Sequence, residues 1–379
     1  MTYITIRQKQ KPFQLSFEDV LFERVTANKL TGKSDKTGTI TRVTKEELPA
    51  KVLEKVDVSM MVNWLKEFNI RNKELHNTDK ETLYTHFRIP KKTGGWRNID
   101  APKPELQNAL ASLVDFFINT CGMLYHTAAF AYVKDRSIVD AVKKHAYFKS
   151  NWFLKTDISG FFPNTTLEFT MRMLSMIFPL SEVVKIEEGK KELEKALSLG
   201  YLRGGLVQGS VLSPTLTNLL FLPIDHKLFN EFAHRNMVYT RYADDMHISA
   251  KQNFSYKKMV KIIEDSFREF DAPYVIKDEK THYGSVGGAN WLLGLICNKE
   301  HKITVGWRNK KYFKAELCNF VLDTKNGKPW DLDEVQSFNG RLSYYKMIEK
   351  KYFTDLIERA NKKWNVNVEG MIKSYMKIA

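Results

Sequence analysis

Residues 237–250 read MVYTRYADDMHISA, two short runs of β-branched and aromatic residues joined by an acidic turn. Such runs on either side of a tight turn are typical of a β-hairpin. The hairpin would carry Asp244 and Asp245 at its tip, where two like charges repel unless water, a proton or a divalent cation compensates them. Because adjacent aspartates are also ordinary turn residues, the pair predicts a metal site only if a further acid comes from elsewhere in the chain.

A further acid occurs upstream, in the stretch FLKTDISGFF at residues 153–162. Asp157 would end an apolar β-strand, followed by a glycine and an aromatic pair. If Phe161 and Phe162 continue the strand, they point to opposite faces, with Phe161 in the core. Between the two acidic segments, residues 204–220 form a Gly-rich loop that contains Gln208 and Gly209 and leads into an apolar helix.

In this order and at this spacing, the three segments resemble motifs of the reverse transcriptases. Asp157 with its aromatic residues is similar to their first catalytic motif, and the YADD sequence at residues 242–245 is similar to their second. Gln208 and Gly209, with the Ser-Pro pair that follows, resemble their template and nucleotide loop. The resemblance implies that Asp157, Asp244 and Asp245 bind two Mg²⁺ ions, with Mn²⁺ as an alternative metal.

The same resemblance implies roles for two more side chains near these motifs. Phe162 matches the aromatic residue that closes against C2′ of the sugar and excludes a 2′-hydroxyl by a steric clash. Lys280, just after a strand-like segment at residues 274–276, matches the lysine that protonates the leaving pyrophosphate. An exposed lysine at a strand end is the alternative interpretation of Lys280.

Residues 88–102, RIPKKTGGWRNIDAP, predict a strand, a Gly-Gly turn and a second strand. The segment resembles the fingers hairpin of retron and group II intron enzymes, which implies that Lys91 and Arg97 bind the triphosphate of the incoming nucleotide. Charges that keep an exposed hairpin soluble are the alternative.

Two further segments resemble the retron enzymes only in part. Residues 131–145 keep the histidine of the Asn-Ala-x-x-His block, as His145, and place Arg136 as a candidate contact to the template backbone. A structural role for His145 is the alternative. Residues 291–295, WLLGL, resemble the primer-grip hairpin but lack Val-Thr-Gly. These departures favour the defence-associated class of bacterial reverse transcriptases over a retron enzyme.

The charge of the chain indicates a polyanionic partner. The net charge is +15, and residues 301–379 contain 16 basic against nine acidic residues, interleaved with aromatic residues. This region is therefore predicted to be a helical thumb in which Lys310, Lys311 and Lys314 contact phosphates, although amphipathic core helices use similar aromatic residues. Charge alone does not separate nucleic acid from an anionic membrane, but no run of about 18 apolar residues occurs, so a cytoplasmic protein without membrane contact is expected.

The cysteines indicate neither a disulfide framework nor a zinc site. Cys121, Cys297 and Cys318 are odd in number and widely spaced, without paired-Cys or Cys-His ligand spacing. We interpret them as small apolar side chains of the core.

The predicted fold is α+β, a right-hand polymerase with fingers, a ferredoxin-like palm and a helical thumb. Residues 1–56 would be an N-terminal extension with a loop at 31–39, and residues 57–150 the fingers. The palm would span 151–290, with a helical insertion at 167–202. Residues 291–379 would form the primer-grip hairpin and the basic thumb.

The predicted function is RNA-directed DNA synthesis from dNTPs, copying a small associated noncoding RNA in antiphage defence and yielding an RNA–DNA duplex. Whether the protein forms a homo-oligomer or binds a co-encoded protein stays open. An untemplated or protein-primed nucleotidyltransferase would carry the same motifs. A catalytically inactive RNA-binding module is a third alternative, but such a module has no need of three converging carboxylates.

Overall fold

The computed structural model describes residues 57–91, 94–121, 125–288 and 291–377. The predicted N-terminal extension at residues 1–56, with its loop at 31–39, lies outside the described residues. The described chain divides into two units. The first contains the described residues up to Arg136 together with Leu154–Ile248 and Ser255–His282, and the second contains Ser137–Phe153, Ser249–Phe254 and the residues from Tyr283 onward.

The elements alternate between helices and short strands, as an α+β chain requires. The helices are α1 (Val58–Arg71), α2 (Lys73–Asn77), α3 (Pro104–Cys121), α4 (Ile138–Tyr147), α5 (Phe161–Asn164), α6 (Leu167–Leu174), α7 (Leu180–Lys185), α8 (Glu187–Ser198), α9 (Leu212–Leu220), α10 (Leu222–His234), α11 (Tyr256–Glu269), α12 (Trp307–Lys325), α13 (Leu332–Trp364) and α14 (Val368–Lys377). Short 3₁₀ turns occur at Lys80–Leu83 and Asp278–Lys280. In the described segments, no helix has both the length and the apolar character needed to cross a bilayer.

The strands are β1 (Tyr84–Pro90), β2 (Trp96–Pro102), β3 (Trp152–Ser159), β4 (Tyr201–Leu202), β5 (Gly205–Leu206), β6 (Met237–Tyr242), β7 (Asp245–Ala250), β8 (Val275–Ile276), β9 (His282–Ser285), β10 (Trp291–Leu292), β11 (Leu295–Cys297) and β12 (Ile303–Thr304). A five-stranded sheet has the order β6-β7-β3-β8, and β9 also pairs with β3. The sheet therefore places the two predicted acidic strands, β7 and β3, side by side.

The predicted hairpins are present. β1 and β2 pair antiparallel from Tyr84 opposite Pro102 to Pro90 opposite Trp96. β6 and β7 are joined by a two-residue turn at Ala243 and Asp244, and the predicted insertion at 167–202 is helical over α6, α7 and α8. The β-branched and aromatic content of these hairpins explains their extended conformation, because such side chains pack well on a pleated surface.

The strand continues for two residues past Asp157 but does not include Phe161 and Phe162, so these two rings do not alternate between the faces of a strand. β3 ends at Ser159, Gly160 adopts the left-handed conformation with φ of 56°, and α5 begins at Phe161. Glycine reaches this conformation without the steric cost that a Cβ imposes. Phe161 is nevertheless buried, as predicted, because its ring packs against Phe221 and Tyr274 at centroid distances of 5.2 and 5.6 Å.

The second unit has its own hydrophobic core. Side chains of α4, α12, α13 and α14 pack together there, among them Val142, Phe313, Phe338 and Phe353. The predicted hairpin at 291–295 is present as β10 and β11, with Leu293 and Gly294 at positive φ in its turn. Cys297 is also part of this core, as expected for an unpaired cysteine.

Candidate active site

The sheet brings Asp157, Asp244 and Asp245 to one edge of the first unit. The turn between β6 and β7 contains Ala243, at φ of 56°, followed by Asp244. The backbone N–H of Ile158 donates to the carbonyl oxygen of Asp244 at 3.0 Å. A main-chain bond therefore fixes the residue after Asp157 against the acidic turn.

The electrostatics of this edge are those of crowded carboxylates. Burial, together with the negative charges of Asp157 and Asp245, raises the pKa of Asp244 to about 6. The ammonium of Lys280 donates to both carboxylate oxygens of Asp157, at 2.8 and 2.9 Å. Lys155 forms an ion pair with Asp245 at 2.9 Å. Two lysines thus neutralise part of the charge that three acids bring together.

The donor chemistry of this edge suits a hard cation, because carboxylate oxygens are the ligands that Mg²⁺ prefers. The raised pKa of Asp244 shows that its ionised form is disfavoured here, and a positive charge beside it would stabilise that form. The three acids are not gathered into a ready-made ligand set, since in the described segments no group of three or more His, Cys, Asp or Glu has that arrangement. In this structure Asp157 and Asp245 each face an ammonium group instead.

The predicted nucleotide residues line two cavities of the first unit. A cavity of about 530 Å³ is bounded by Arg97, Asp157, Phe162, Gln208, Gly209, Asp244 and Lys280, among others. A cavity of about 1120 Å³ shares Arg97, Gln208 and Lys280 and adds Lys91 and Arg203. The structure therefore gathers the proposed triphosphate, sugar and metal residues in one region.

The Gln208–Gly209 loop lies directly against β2. The N–H of Asp100 donates to the carbonyl oxygen of Gln208 at 2.9 Å. Gly209 has φ of 122°, and a Cβ at this residue would come within 3.0 Å of the Asp100 carbonyl oxygen. Glycine is thus required both by the backbone conformation and by the close approach of the hairpin.

Other predicted residues have structural partners. Arg136 donates through Nη1 to the carbonyl oxygens of His126, Thr127 and Ala129, so this nitrogen holds the protein's own loop. His145 is buried, and its Nδ1 bonds Ser249 Oγ at 2.6 Å, which agrees with the structural alternative.

The three candidate lysines of the second unit differ in their surroundings. Lys310 bonds Glu349 Oε1 at 2.5 Å and lies over the Tyr352 ring, and its side chain is only 20% exposed. Its contact to phosphate stays a prediction, and in this structure its ammonium group is paired with the Glu349 carboxylate. Lys311 and Lys314 are exposed.

The sequence did not single out Arg241, although it lies only three residues before Asp244. Its side chain and that of Asp225 are both 0% exposed and paired at 2.7 Å, and Arg241 Nη1 donates to the carbonyl oxygen of Ala243 at 3.2 Å. The signal in the sequence was a single charged residue inside the predicted strand of residues 237–242. Lys155 and Tyr132 were also missed, and Tyr132 lines the 530 Å³ cavity.

A family model described as "Reverse transcriptase (RNA-dependent DNA polymerase)" matches residues 89–313. The chain is 26% identical over 304 residues to the retron Ec83 reverse transcriptase of Escherichia coli, covering 78% of this chain and 91% of the relative. It is 26% identical to the retron Ec73 reverse transcriptase of E. coli, covering 75% and 90%, and 26% identical to the retron Mx162 reverse transcriptase of Myxococcus xanthus, covering 72% and 59%.

Among solved structures, the chain is similar to a Candida albicans telomerase in complex with a TWJ fragment of telomeric RNA. The TM-score is 0.43 at 13% identity, covering 79% of this chain and 59% of the telomerase chain. An apo telomerase from Candida tropicalis has a TM-score of 0.42 at 14% identity, covering 78% of this chain and 64% of the other.

Proposed function

The chain belongs to the reverse transcriptase (RNA-dependent DNA polymerase) family, and from this membership we propose that Asp157, Asp244 and Asp245 hold two Mg²⁺ ions for primer extension with dNTPs on an RNA template. The observation that carries the proposal is the meeting of these acids at one sheet edge beside cavities lined by basic side chains. The raised pKa of Asp244 supports it, because burial and the charges of Asp157 and Asp245 disfavour the ionised carboxylate and a bound cation would stabilise it.

Bound ions would activate the primer 3′-oxygen and neutralise the triphosphate and leaving group. The residues of the chain position the reactants and complete the charge balance. Lys91 and Arg97 bind the triphosphate by charge-assisted hydrogen bonds. Phe162 presents a half-buried ring beside Asp157, where a bulky group leaves no room for a 2′-hydroxyl.

Lys280 is proposed as the proton donor to the leaving pyrophosphate. Its side chain is 48% exposed and lines both cavities while its ammonium group contacts Asp157. To donate this proton, the Lys280 ammonium group has only to exchange its contact with the Asp157 carboxylate for a contact with a phosphate oxygen. Gln208 and Gly209 support the nucleotide through the loop that β2 holds in place.

The test is primer extension by Asp157→Asn and Asp244→Asn variants, with Asp115→Asn on the exposed face of α3 as a matched control. We expect both site variants to lose at least about 100-fold in extension rate, which corresponds to about 2.7 kcal/mol in the barrier. Thermal melting should change little, because loss of a ligand charge also relieves local repulsion. Near-parental extension by either site variant with Mg²⁺ would refute the metal assignment.

We further propose that the template is a small associated noncoding RNA and that the activity serves antiphage defence in the cytoplasm. The similarity to retron reverse transcriptases supports the choice of a bacterial system. Sequencing the nucleic acid that copurifies with the protein should recover one abundant small RNA and DNA complementary to it. DNA without complementarity to any bound RNA would instead indicate untemplated or protein-primed synthesis on the same acidic site.

A further inference from the structure

The loop of residues 126–136, which we name the Tyr132 loop, is attached to β6 next to the acidic turn. The N–H of Arg241 donates to the carbonyl oxygen of Ala128 at 2.7 Å, and the N–H of Phe130 donates to that of Arg241 at 2.8 Å. These bonds form an isolated parallel bridge between Ala129 and Arg241. These backbone bonds therefore fix the Tyr132 loop to β6, the strand that leads into the acidic turn.

Side chains fix the loop at two further points. Arg136 Nη1 donates to three of its carbonyl oxygens, the shortest bond being 2.6 Å to Ala129, and its guanidinium lies 4.7 Å from the Tyr125 ring centroid. Asn218 on α9 donates through Nδ2 to the carbonyl oxygen of Ala131 at 2.8 Å. The residue just before Tyr132 is thus held by a buried amide.

Asn218 also joins this loop to the catalytic turn. Arg241 Nη2 donates to Asn218 Oδ1 at 3.1 Å, while Nη1 of the same guanidinium donates to Ala243. Nε and Nη2 of Arg241 donate to the Asp225 carboxylate, which neutralises the arginine. The guanidinium lies 4.5 Å from the Phe221 ring centroid. One buried network therefore holds both the residue before Asp244 and the residue before Tyr132.

Tyr132 itself has features of a ligand contact. Its φ of 58° lies in the left-handed region, which an aromatic residue adopts only when its surroundings impose it, as occurs at ligand-binding sites. The residue is nevertheless 57% exposed and lines the cavity of Asp157, Phe162 and Asp244. A strained backbone at a residue whose aromatic ring is open to an active-site cavity points to a ligand.

We propose that Tyr132 stacks on a nucleobase in this cavity, and that Asn218 and Arg241 act as positioning residues for its loop. This inference rests on the proposed function. The base belongs either to the incoming nucleotide or to the end of the primer–template duplex, since both present a π face to an aromatic ring.

The test compares Tyr132→Leu, which removes the ring, with Tyr132→Phe, which retains it. Binding is measured with a dideoxy-terminated primer, so that the dissociation constants of primer–template and of dNTP are read without chemistry. Loss of one base–aromatic stack should weaken binding by about fivefold or more in Tyr132→Leu, while Tyr132→Phe stays near parental. A weaker dNTP constant identifies the incoming base, and a weaker primer–template constant identifies the duplex end.

The control is Tyr147→Leu, because this tyrosine on α4 is 79% exposed and lines neither of the two cavities beside the acidic residues. It should leave both constants unchanged. If Tyr132→Leu binds both ligands as the parent does, the inference is overturned even when the parent extends primers. A parent that binds these ligands but extends no primer would overturn the proposed function instead.

The positioning role is tested by Asn218→Ala against Tyr239→Phe. The first removes the bonds to Ala131 and Arg241, whereas the second removes only the 2.8 Å bond of the tyrosine hydroxyl to Asp225 in the same buried network. Asn218→Ala should reproduce much of the binding loss of Tyr132→Leu, and the double variant should lose little more, because the two residues act as a unit. Equal binding losses in the two variants, in proportion to their losses in melting temperature, would show that the network is only structural.

Discussion

We expect the side chain of Phe162 to select deoxynucleotides over ribonucleotides. Its ring lies 5.3 Å from that of buried Phe161 and lines the cavity beside Asp157. Phe162→Ala is expected to lower the preference for deoxynucleotides over ribonucleotides by roughly tenfold or more, a barrier difference of about 1.4 kcal/mol, because the clash with the 2′-hydroxyl disappears. Single-nucleotide incorporation of paired dNTP and NTP substrates measures this ratio.

Phe162→Tyr is the matched control, since it retains the bulk of the ring and should retain the selectivity. An alanine variant that is active and discriminates as the parent does would remove Phe162 from substrate selection.

The placement of a single residue was predictable where a short sequence motif contains it. The acids of residues 157 and 244–245 follow from motifs, and the structure places them together. Arg241, Asn218 and Tyr132 were not predictable in the same way, because the role of each depends on partners far away in sequence. A buried arginine, for example, is meaningful only once Asp225 is known to face it.

Helix α13 illustrates how an element depends on one charged contact. Its backbone departs from helical geometry at Glu349, where φ is −131° and ψ is 61°. The Glu349 carboxylate accepts hydrogen bonds from Thr304 Oγ1 at 2.8 Å, from the N–H of Val305 at 3.0 Å and from Lys310 Nζ at 2.5 Å. The kinked residue therefore ties α13 to β12 and to the first turns of α12.

Lys310→Met is expected to destabilise the second unit by about 1.5 to 3 kcal/mol, the range for a lost hydrogen bond between charged groups, because Glu349 is left partly buried without its cation. Lys311→Met, on the exposed side of the same helix, should change stability by less than about 0.5 kcal/mol. Thermal and urea unfolding of both variants give the comparison. Equal stability of the two variants would mean that the Lys310 contact contributes nothing.

Helices and strands were predictable where the spacing of apolar residues and the turn residues agree. They were less predictable where a single glycine changes the direction of the backbone. The hairpins of residues 84–102, 237–250 and 291–297 follow from alternating residues around tight turns. The helical turn at Phe161–Asn164 was missed, because an aromatic pair after a strand favours further strand. Gly160 ends the strand by adopting the left-handed conformation, which glycine permits but which the apolar pattern around it does not indicate.

The fold class of the whole molecule was within reach of the sequence, and membership of the reverse transcriptase family confirms the predicted right-hand polymerase fold. The division into units was harder to foresee. The second unit takes residues 137–153 and 249–254 from the middle of the chain, and Val142 and Phe153 share a core with Leu317 and Phe338. Such discontinuous units depend on long-range packing, whereas sequence boundaries at residues 150 and 290 divide the chain into contiguous pieces. The assignment to fingers, palm and thumb stays a prediction.

Because the net charge is +15, we expect the affinity for nucleic acid to fall as the salt concentration rises. Substitution of the exposed lysines of α12 tests whether these side chains contribute to that salt dependence. A Lys311→Glu/Lys314→Glu variant is expected to bind duplex more weakly, and each lost phosphate contact should flatten the slope of log K against log salt by up to about 0.9. The loss should be similar for unrelated sequences, because phosphate contacts carry no sequence information. Fluorescence anisotropy at several salt concentrations measures both quantities.

The matched control for that experiment is Lys190→Glu/Lys191→Glu on exposed α8, which changes the net charge equally. If only the general field of the protein matters, the two variants weaken binding alike at low salt and converge as salt screens them, since fields from distant charges fade beyond the Debye length. If α12 contacts phosphates, its variant alone shows the reduced slope. A parental slope in the α12 variant together with weaker binding would mean that the substitutions disturb the packing of the helix, and that Lys311 and Lys314 only solvate its surface.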